Sequence, residues 1–211
     1  MFTGIVTEMG KVISTEKEKN LTTFRIKANT SLEGKKIGGS IAINGACMTI
    51  KSIEDKEFTF DAIPETLELT NLSDLKEGST PNLEPSLTLN QGIDGHLVQG
   101  HIDTTGTVHK FSKENDRTIL TIKFPKEICR HLAFKGSITI NGVSLTISDL
   151  QDSTFSVDLI PHTLELTNLG ILTENDKVNL EIDLISRYLD RLLNEKNKET
   201  KYEYLKDRNL I

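Results

Sequence analysis

A ten-residue segment that occurs twice is the feature that most constrains the fold. It reads IPETLELTNL at 63–72 and IPHTLELTNL at 160–169, so nine positions are identical and Glu65 becomes His162. The offset between the copies is 160 − 63 = 97 residues. A repeat of this length, present in only two copies, indicates a duplicated domain rather than a solenoid or a propeller.

The repeat extends well beyond these ten residues. SIAINGACMTI at 40–50 matches SITINGVSLTI at 137–147 at seven of eleven positions, at the same offset of 97. NLE at 82–84 recurs at 179–181, again 97 residues later. The two copies therefore align over most of their length.

The start of each copy sets the domain boundaries. GIVTEMGKV at 4–12 aligns with GHIDTTGTV at 100–108 at an offset of 96. Each unit is therefore about 90 residues long, which is within the range of a small domain. We predict an N-terminal domain at 1–96, a C-terminal domain at 97–186 and a terminal segment at 187–211.

Each unit has the pattern of a β-domain. TTFRIKA at 22–28 and TILTIKF at 118–124 alternate apolar and polar residues, which is typical of half-buried strands. The Asn-Gly pairs at 44–45 and 141–142 separate apolar runs and predict hairpins. TLELTNL favours a short helix or a turn. Many short strands with frequent turn residues predict a closed barrel or a sandwich, and the pattern leaves both open.

The C-terminal segment differs from the two repeats. Five apolar residues recur there at helical spacing, namely Ile185, Tyr188, Leu189, Leu192 and Leu193. This spacing predicts one amphipathic helix of several turns without a strand partner.

Composition excludes several classes of function. The 25 basic and 31 acidic residues give a net charge of −6, which argues against a nucleic-acid partner. No apolar run approaches the 18 or so residues of a membrane span, and the N-terminus lacks signal-peptide features, so we expect a cytoplasmic protein with no membrane contact. Cys47 and Cys129 make no disulfide framework. His96 and His101 are five apart, which places them on opposite faces of a strand, so we expect no metal site.

Polar residues that match between the repeats are candidates for two equivalent pockets. Hydroxyl, thiol and carboxyl groups of this kind suit a neutral ligand with several hydrogen-bonding groups. The alternative is that polar residues beside turns cap backbone groups. The matched pairs are Cys47 with Ser144, Thr49 with Thr146, Asp61 with Asp158, and Thr66 with Thr163.

Ionisable residues are distributed unequally between the two repeats. Two pockets of one shape but different chemistry suit two copies of one molecule in different roles, and drift after duplication is the alternative. The unequal positions are Ile5 against His101, Gly38 against Lys135, Ser86 against Asp183, and Glu65 against His162.

Several motifs together resemble the riboflavin synthase family over essentially the whole chain. They are MFTGIV, the NG-x-C-x-T hairpin, DGHLVQGH, KG before the second hairpin, NGVSLT, and the repeated ETL and HTL blocks. The resemblance implies an all-β fold of tandem duplicated six-stranded antiparallel Greek-key β-barrels followed by a C-terminal α-helix. It also implies the last step of riboflavin biosynthesis, in which two molecules of 6,7-dimethyl-8-ribityllumazine give riboflavin and 5-amino-6-(D-ribitylamino)uracil by four-carbon transfer.

The resemblance also implies the site residues. Cys47, His101, Ser144, Thr146 and Asp183 are the catalytic candidates. The first half supplies the binding positions Gly4, Ile5, Val6, Cys47, Met48, Thr49, Asp61, Ala62, Ile63, Pro64, Glu65 and Thr66. The second half supplies Gly100, His101, Ile102, Lys135, Ser144, Leu145, Thr146, Asp158, Leu159, Ile160, Pro161, His162 and Thr163.

The resemblance requires no cofactor and implies a homotrimer, for which lumazine synthase is a candidate partner. One alternative is a lumazine- or flavin-binding protein without activity, but both copies of the repeated segment and His101 are retained, which favours the enzyme. A flavin-binding reductase barrel would need a dinucleotide fingerprint, which the sequence lacks.

Overall fold

The computed structural model describes residues 1–114 and 117–196, which form two β-rich units and a helix. The strands of the first unit are β1 (Glu8–Met9), β2 (Lys11–Glu18), β3 (Leu21–Lys27), β4 (Ser40–Ile43), β5 (Ala46–Glu54), β6 (Glu57–Ala62) and β7 (Asn82–Pro85). Those of the second are β8 (Thr104–Glu114), β9 (Arg117–Lys123), β10 (Ser137–Ile140), β11 (Val143–Leu150), β12 (Thr154–Leu159) and β13 (Lys177–Ile182).

Three α-helices occur in the described residues: α1 (Pro64–Leu69), α2 (Pro161–Leu166) and α3 (Leu184–Lys196). The prolines occupy the first position of α1 and α2, where the absent N–H costs nothing. TLELTNL therefore forms a short helix, and its last two residues begin a 3₁₀ turn in each copy, at Asn71–Asp74 and Asn168–Ile171. The strands before these two prolines end at Ala62 and Leu159, since a proline cannot donate to the strand ladder.

A single glycine interrupts the first sheet. Its strand order is β1-β7-β4-β5-β6-β3-β2, and only Gly10 separates β1 from β2, so the two ends of the sheet are joined through one residue. The second unit is a closed barrel, β10-β11-β12-β9-β8-β13, in which β8 corresponds to β1 and β2 together. A Cβ on Gly10 would lie 2.6 Å from Leu83 Cδ1, and a Cβ on Gly106 2.6 Å from Ile122 Cγ2. The predicted all-β tandem fold is confirmed, and the first unit shows seven strands because of this break.

Each unit has its own apolar core. In the first, Phe24 and Phe60 stack with ring centroids 5.0 Å apart, and in the second, Phe124 and Phe155 lie 5.7 Å apart. Burial of such side chains is worth about 1.5–3 kcal/mol each. The two main cores are therefore separate, and the units are joined by polar contacts and by a small apolar cluster of Phe2, Ala42 and Val98.

Six buried asparagines connect the barrels, and we call them the asparagine network: Asn44, Asn71 and Asn82 from the first unit, and Asn141, Asn168 and Asn179 from the second. The Asn71 N–H donates to the Asn179 side-chain oxygen at 2.6 Å, and the Asn168 N–H donates to that of Asn82 at 2.7 Å. The two bonds are related by the 97-residue repeat. They indicate a pseudo-twofold axis between the barrels.

The two Asn-Gly turns meet at this axis. Asn44 and Gly45 have φ of 46° and 82°, and Asn141 and Gly142 have 48° and 78°, as a two-residue hairpin turn with two positive φ angles requires. A Cβ on Gly45 would lie 2.7 Å from the Gly142 nitrogen. The predicted hairpins are confirmed, and their glycines also let the two backbones approach closely.

Helix α3 begins at Leu184, three residues before the predicted boundary at 187, and residues 197–211 of that segment lie outside the described residues. All five apolar side chains of its stripe are more than half exposed, from 53% at Leu189 to 63% at Leu193. Within the described residues, no helix has both the length and the apolarity needed to cross a membrane.

Candidate active site

The segments that precede each barrel cross to the opposite barrel. Phe2 and Val98 form an antiparallel bridge, in which the Phe2 N–H donates to Val98 O at 2.7 Å and the Val98 N–H donates to Phe2 O at 3.1 Å. Beyond this bridge, the Ser144 N–H donates to Gly4 O at 2.8 Å, and the Cys47 N–H donates to Gly100 O at 2.9 Å. Each segment therefore lies beside the hairpin strand of the other repeat.

Two equivalent glycines make this crossing possible. Gly4 and Gly100 have φ of 77° and 79°, which side chains rarely adopt. A Cβ on either would lie 2.6 Å from a partner Cβ, that of Ser144 or Cys47 respectively. The G in TGIV and in QGHI therefore serves both the backbone conformation and the close approach.

The first pocket is a cavity of about 230 Å³ at the first barrel. Three parts of the chain form it: the start of β5, the exposed side of α1, and the crossing segment of the second repeat. Its residues are Ala46, Cys47, Met48, Glu65, Thr66, Leu69, Thr70, Gly100, His101 and Ile102. An apolar surface with a thiol, a hydroxyl, an imidazole and a carboxyl group suits a flat polar ring.

The second site lies around Ser144, and we define it by Gly4, His96, Ser144 and Asp183. His96 Nδ1 and Ser144 Oγ are hydrogen-bonded at 2.7 Å, in the half-buried space beside Gly4. Burial lowers the pKa of His96, and the nearby Asp183 carboxylate raises it in part. An imidazole that is neutral at pH 7 and bonded to a hydroxyl can move a proton to or from a ligand.

Asp183 also begins helix α3. Its side chain accepts a hydrogen bond from the Ile185 N–H at 2.8 Å, and its carbonyl accepts from Arg187. Such capping of the first helical turn orients the carboxylate. The start of α3 is therefore part of the second site.

Two buried glutamates hold the crossing segments in place. Glu84 accepts hydrogen bonds from the Thr3 N–H at 2.6 Å and the Gly4 N–H at 3.1 Å, and Glu181 accepts from the Gln99 N–H at 2.7 Å and the Gly100 N–H at 2.9 Å. Burial raises the pKa of both carboxyl groups, to about 7 in Glu181. The repeated NLE motif therefore positions the pocket walls.

The structure places the start of each repeat against the other repeat. Gly4, a binding candidate of the first half, contacts Ser144, and Val6 packs on the second core. Likewise Gly100, His101 and Ile102 line the first pocket. The reason is the crossing at Phe2 and Val98, which no local sequence pattern reveals.

The two repeated aspartates have partners within the protein. On β6, Asp61 pairs with Lys51 at 2.9 Å and Thr23 at 2.7 Å, and on β12, Asp158 pairs with Arg117 at 2.7 Å. These contacts lower the pKa of both carboxyl groups, despite partial burial. The repeated asparagines are used between the barrels. At these positions the repeated polar groups bond to other groups of the protein, and for the aspartates the partners are side chains rather than backbone groups.

The remaining predicted residues fall into three groups. Ala62 and Leu159 are buried in the cores, and Leu145 packs on the second core. Thr163 is half-buried on α2. The exposed positions are Ile5, Thr49, Ile63, Pro64, Lys135, Thr146, Ile160, Pro161 and His162.

His96 is the residue that the sequence reasoning missed. The sequence considers His96 only as a possible metal ligand, and His101 is the histidine among the catalytic candidates. The structure instead bonds Ser144 to His96 and places His101 in the first pocket. The motif DGHLVQGH contains both histidines, and its odd spacing had predicted that they do not share one site.

Comparison with known proteins agrees with this geometry. The lumazine binding domain matches the chain twice, at residues 3–86 and 99–183, so the chain is a protein of two tandem lumazine binding domains. Solved structures of LumP are similar: with 6,7-dimethyl-8-(1'-D-ribityl) lumazine the TM-score is 0.78 at 27% identity, and with riboflavin 0.79 at 28%, each covering 86% of this chain and 99% of that one.

Curated relatives narrow the class further. Riboflavin synthase of Actinobacillus pleuropneumoniae is 40% identical over 193 residues, which are 92% of this chain and 90% of that protein. The Bacillus subtilis (strain 168) enzyme is 38% identical over 198 residues, 94% of this chain and 92% of that protein. The chain therefore belongs to the riboflavin synthase family, whose members are transferases of four-carbon units. The predictions of the family and of an enzyme are confirmed.

Proposed function

We propose that the chain binds one molecule of 6,7-dimethyl-8-ribityllumazine at each of its two sites and transfers four carbons from one molecule to the other. The observation that carries this proposal is the pair of equivalent sites with different chemistry. Cys47 and His101 stand in the first pocket, whereas Ser144, His96 and Asp183 stand in the second site. One substrate in two roles requires such a pair.

The reaction balances without an oxidant or a reductant. The donor ring gives up two ring carbons with their methyl groups and leaves as 5-amino-6-(D-ribitylamino)uracil, while the acceptor gains these four carbons and becomes riboflavin. Holding two flat rings in a reactive orientation removes much of the entropic barrier of a bimolecular step.

The side chains at the two sites must transfer protons during the reaction. A methyl group on the electron-poor ring loses its proton to a modest base, and neutral His96 with Ser144 is suited to that task. His101 and Cys47 offer the corresponding groups in the first pocket, with Thr146 and Asp183 as further polar groups at the second. Backbone groups of the crossing segments fix the ring edges.

Assembly is the second part of the proposal. We propose a cytoplasmic homotrimer of the riboflavin biosynthetic pathway, in which the first barrel of one subunit faces the second barrel of its neighbour. The exposed apolar stripe of α3 supports association, because a stripe that is more than half exposed from Ile185 to Leu193 is unfavourable in water. Lumazine synthase is a candidate partner of this trimer.

The decisive experiment is incubation of the purified chain with the lumazine alone. Riboflavin absorbance should appear, with one riboflavin formed for two lumazines consumed. A folded protein that binds the lumazine but yields no riboflavin would contradict the proposed activity.

The roles of the polar residues can be tested in the same assay. His101→Ala, Ser144→Ala and Asp183→Ala should lower turnover by about 10²-fold or more while the far-UV circular dichroism is unchanged. Cys47→Ser should be milder because the hydroxyl keeps a hydrogen bond, as Ser144 does in the other repeat. Near-wild-type turnover in the three alanine variants would refute these roles.

Truncation tests the assembly. A chain that ends at 186 should sediment as a monomer, bind the lumazine and turn it over poorly. A monomeric truncated chain with full activity would contradict a site between subunits.

A further inference from the structure

The segment that carries His101 into the first pocket is held by two acidic residues rather than one. Glu181 accepts the Gln99 and Gly100 amides, as described above. Two residues beyond His101, Asp103 accepts the Ile182 N–H at 2.9 Å through its carboxylate. The segment 99–103 is therefore bound on both sides of the imidazole.

Helix α3 supplies the counter-charge for this segment. The guanidinium of Arg187 binds Asp103 through both terminal nitrogens, with Nη1 2.9 Å from Oδ1 and Nη2 3.0 Å from Oδ2. The Asp103 side chain is 13% exposed and that of Arg187 38%. A bidentate pair of this kind fixes orientation as well as distance.

Electrostatics make this arrangement depend on Arg187. The pKa of Glu181 is raised to about 7: burial and the Asp103 carboxylate raise it, whereas the amides that Glu181 accepts and the Arg187 guanidinium oppose the rise. Without the guanidinium, two carboxylates would repel each other beside the segment that they hold. Loss of one partner of such a buried group is costly because the other charge stays unpaired.

The first repeat lacks this arrangement. Glu84 holds Thr3 and Gly4 as Glu181 holds Gln99 and Gly100. The position equivalent to Asp103 is Thr7, since the Thr7 N–H donates to Leu83 O as the Asp103 N–H donates to Leu180 O. Thr7 is exposed and has no carboxylate to offer a guanidinium. Arg187 of helix α3 therefore binds the segment that lines the first pocket, and Thr7 offers no carboxylate for such a contact in the equivalent segment at the second site.

We propose that Arg187 is a positioning residue: through Asp103 it couples helix α3 to the crossing segment that presents His101 in the first pocket. The kinetic part of this inference rests on the proposed function, whereas the structural part does not. The coupling acts on segment 99–103 and not on the equivalent segment at Thr3 and Gly4. The second segment therefore serves as a control within the same chain.

Amide hydrogen exchange of the full chain tests the structural part. In Arg187→Gln, the Gln99 and Gly100 amides should exchange about tenfold faster, the size of effect expected from loss of a charge-assisted bond. The Thr3 and Gly4 amides should be unchanged, and Arg187→Lys should be intermediate. Equal acceleration at both segments, or at neither, would overturn the coupling.

Arg130→Gln is the matched control. Arg130 also joins the barrel to α3, through an ion pair with Asp190 at 3.2 Å, and this partner is not a residue of segment 99–103. This variant should leave the exchange of Gln99 and Gly100 unchanged. Faster exchange there would mean that any loosening of α3 suffices and would overturn the specific role of Arg187.

Turnover of the lumazine tests the functional part. Arg187→Gln should lower kcat/KM by about tenfold to a hundredfold through misplacement of His101, and Arg130→Gln should not. Combining Arg187→Gln with His101→Ala should add little to the loss caused by His101→Ala alone, and full additivity would overturn the positioning role. A wild-type chain without turnover would refute the proposed function and leave the exchange comparison to decide the coupling.

Discussion

Replacing Asn82 by alanine should destabilise the whole chain, because Asn82 belongs to the asparagine network between the barrels. Its side chain is 1% exposed. The side-chain oxygen accepts the Asn168 N–H at 2.7 Å, and the side-chain nitrogen donates to Asn141 O at 3.0 Å. Asn82→Ala removes both bonds at once and leaves the two backbone groups of the other barrel without these partners.

The magnitude follows from the two groups left behind. A buried donor or acceptor that loses its partner costs about 1–3 kcal/mol, so the two together should cost about 2–6 kcal/mol. This is a large share of the roughly 5–15 kcal/mol by which proteins are stable. Asn179→Ala should cost a similar amount, since Asn179 donates to Asn44 O at 2.8 Å and accepts the Asn71 N–H.

Urea unfolding followed by far-UV circular dichroism, at one fixed subunit concentration, measures this loss. Fluorescence is unsuitable because the chain has no Trp and its three Tyr are Tyr188, Tyr202 and Tyr204, all in the terminal segment. Asn29→Ala is the control, because Asn29 is exposed. Since Asn82 and Asn179 share Asn44 and Asn141 as partners, the double variant should deviate from additivity by about 0.5–3 kcal/mol. A loss for Asn82→Ala no larger than for Asn29→Ala would refute the reasoning.

Three further predictions concern the sites and the barrels. Asp183→Asn should lower the pKa of His96 further, because the Asp183 carboxylate raises this pKa against the effect of burial. The imidazole chemical shifts of His96 in an NMR titration would show the change, and an unchanged midpoint would contradict the contact. Gly10→Ala and Gly106→Ala should each lower the free energy of unfolding in urea by about 1–3 kcal/mol, because the added methyl group overpacks the barrel. Gly92→Ala is the control and should change it little, since a Cβ there has one contact, at 3.6 Å. Equal losses in the three variants would contradict the tight fit. The fragment 1–96 should fold and bind riboflavin. A fragment extended to 103 should quench flavin fluorescence at a lower protein concentration, because residues 100–102 line the first pocket. Equal quenching by the two fragments would argue against that lining.

The sequence revealed those parts of the fold that depend on local signals. Alternation predicted the strands at 22–28 and 118–124, and Asn-Gly pairs predicted the hairpins at 44–45 and 141–142. Local signals could not predict that the segment at the start of each repeat lies against the pocket of the other repeat. This arrangement depends on backbone hydrogen bonds such as those from Ser144 to Gly4 and from Cys47 to Gly100, and every residue type has the same backbone groups.

Residue type likewise could not predict what the polar residues shared by the two repeats bind. Asn82 and Asp61 both recur at an offset of 97, yet the first joins the barrels and the second pairs with Lys51 on a strand surface. Neither pattern distinguishes a ligand contact from a contact within the protein. Conversely, His96 has no equivalent in the first repeat, and its role depends on a distance of 2.7 Å to Ser144 that only the fold creates.

The connection between the repeats explains how two equivalent sites each acquire an imidazole. Between His96 and His101 the chain pairs with Phe2 at Val98 and then turns at Gly100, whose φ is 79°. His96 is bonded to Ser144, whereas His101 lies in the first pocket. The first repeat has Ile5 at the position of His101, so both imidazoles depend on this single connection, and the chemical difference between the sites is built into one short stretch of chain.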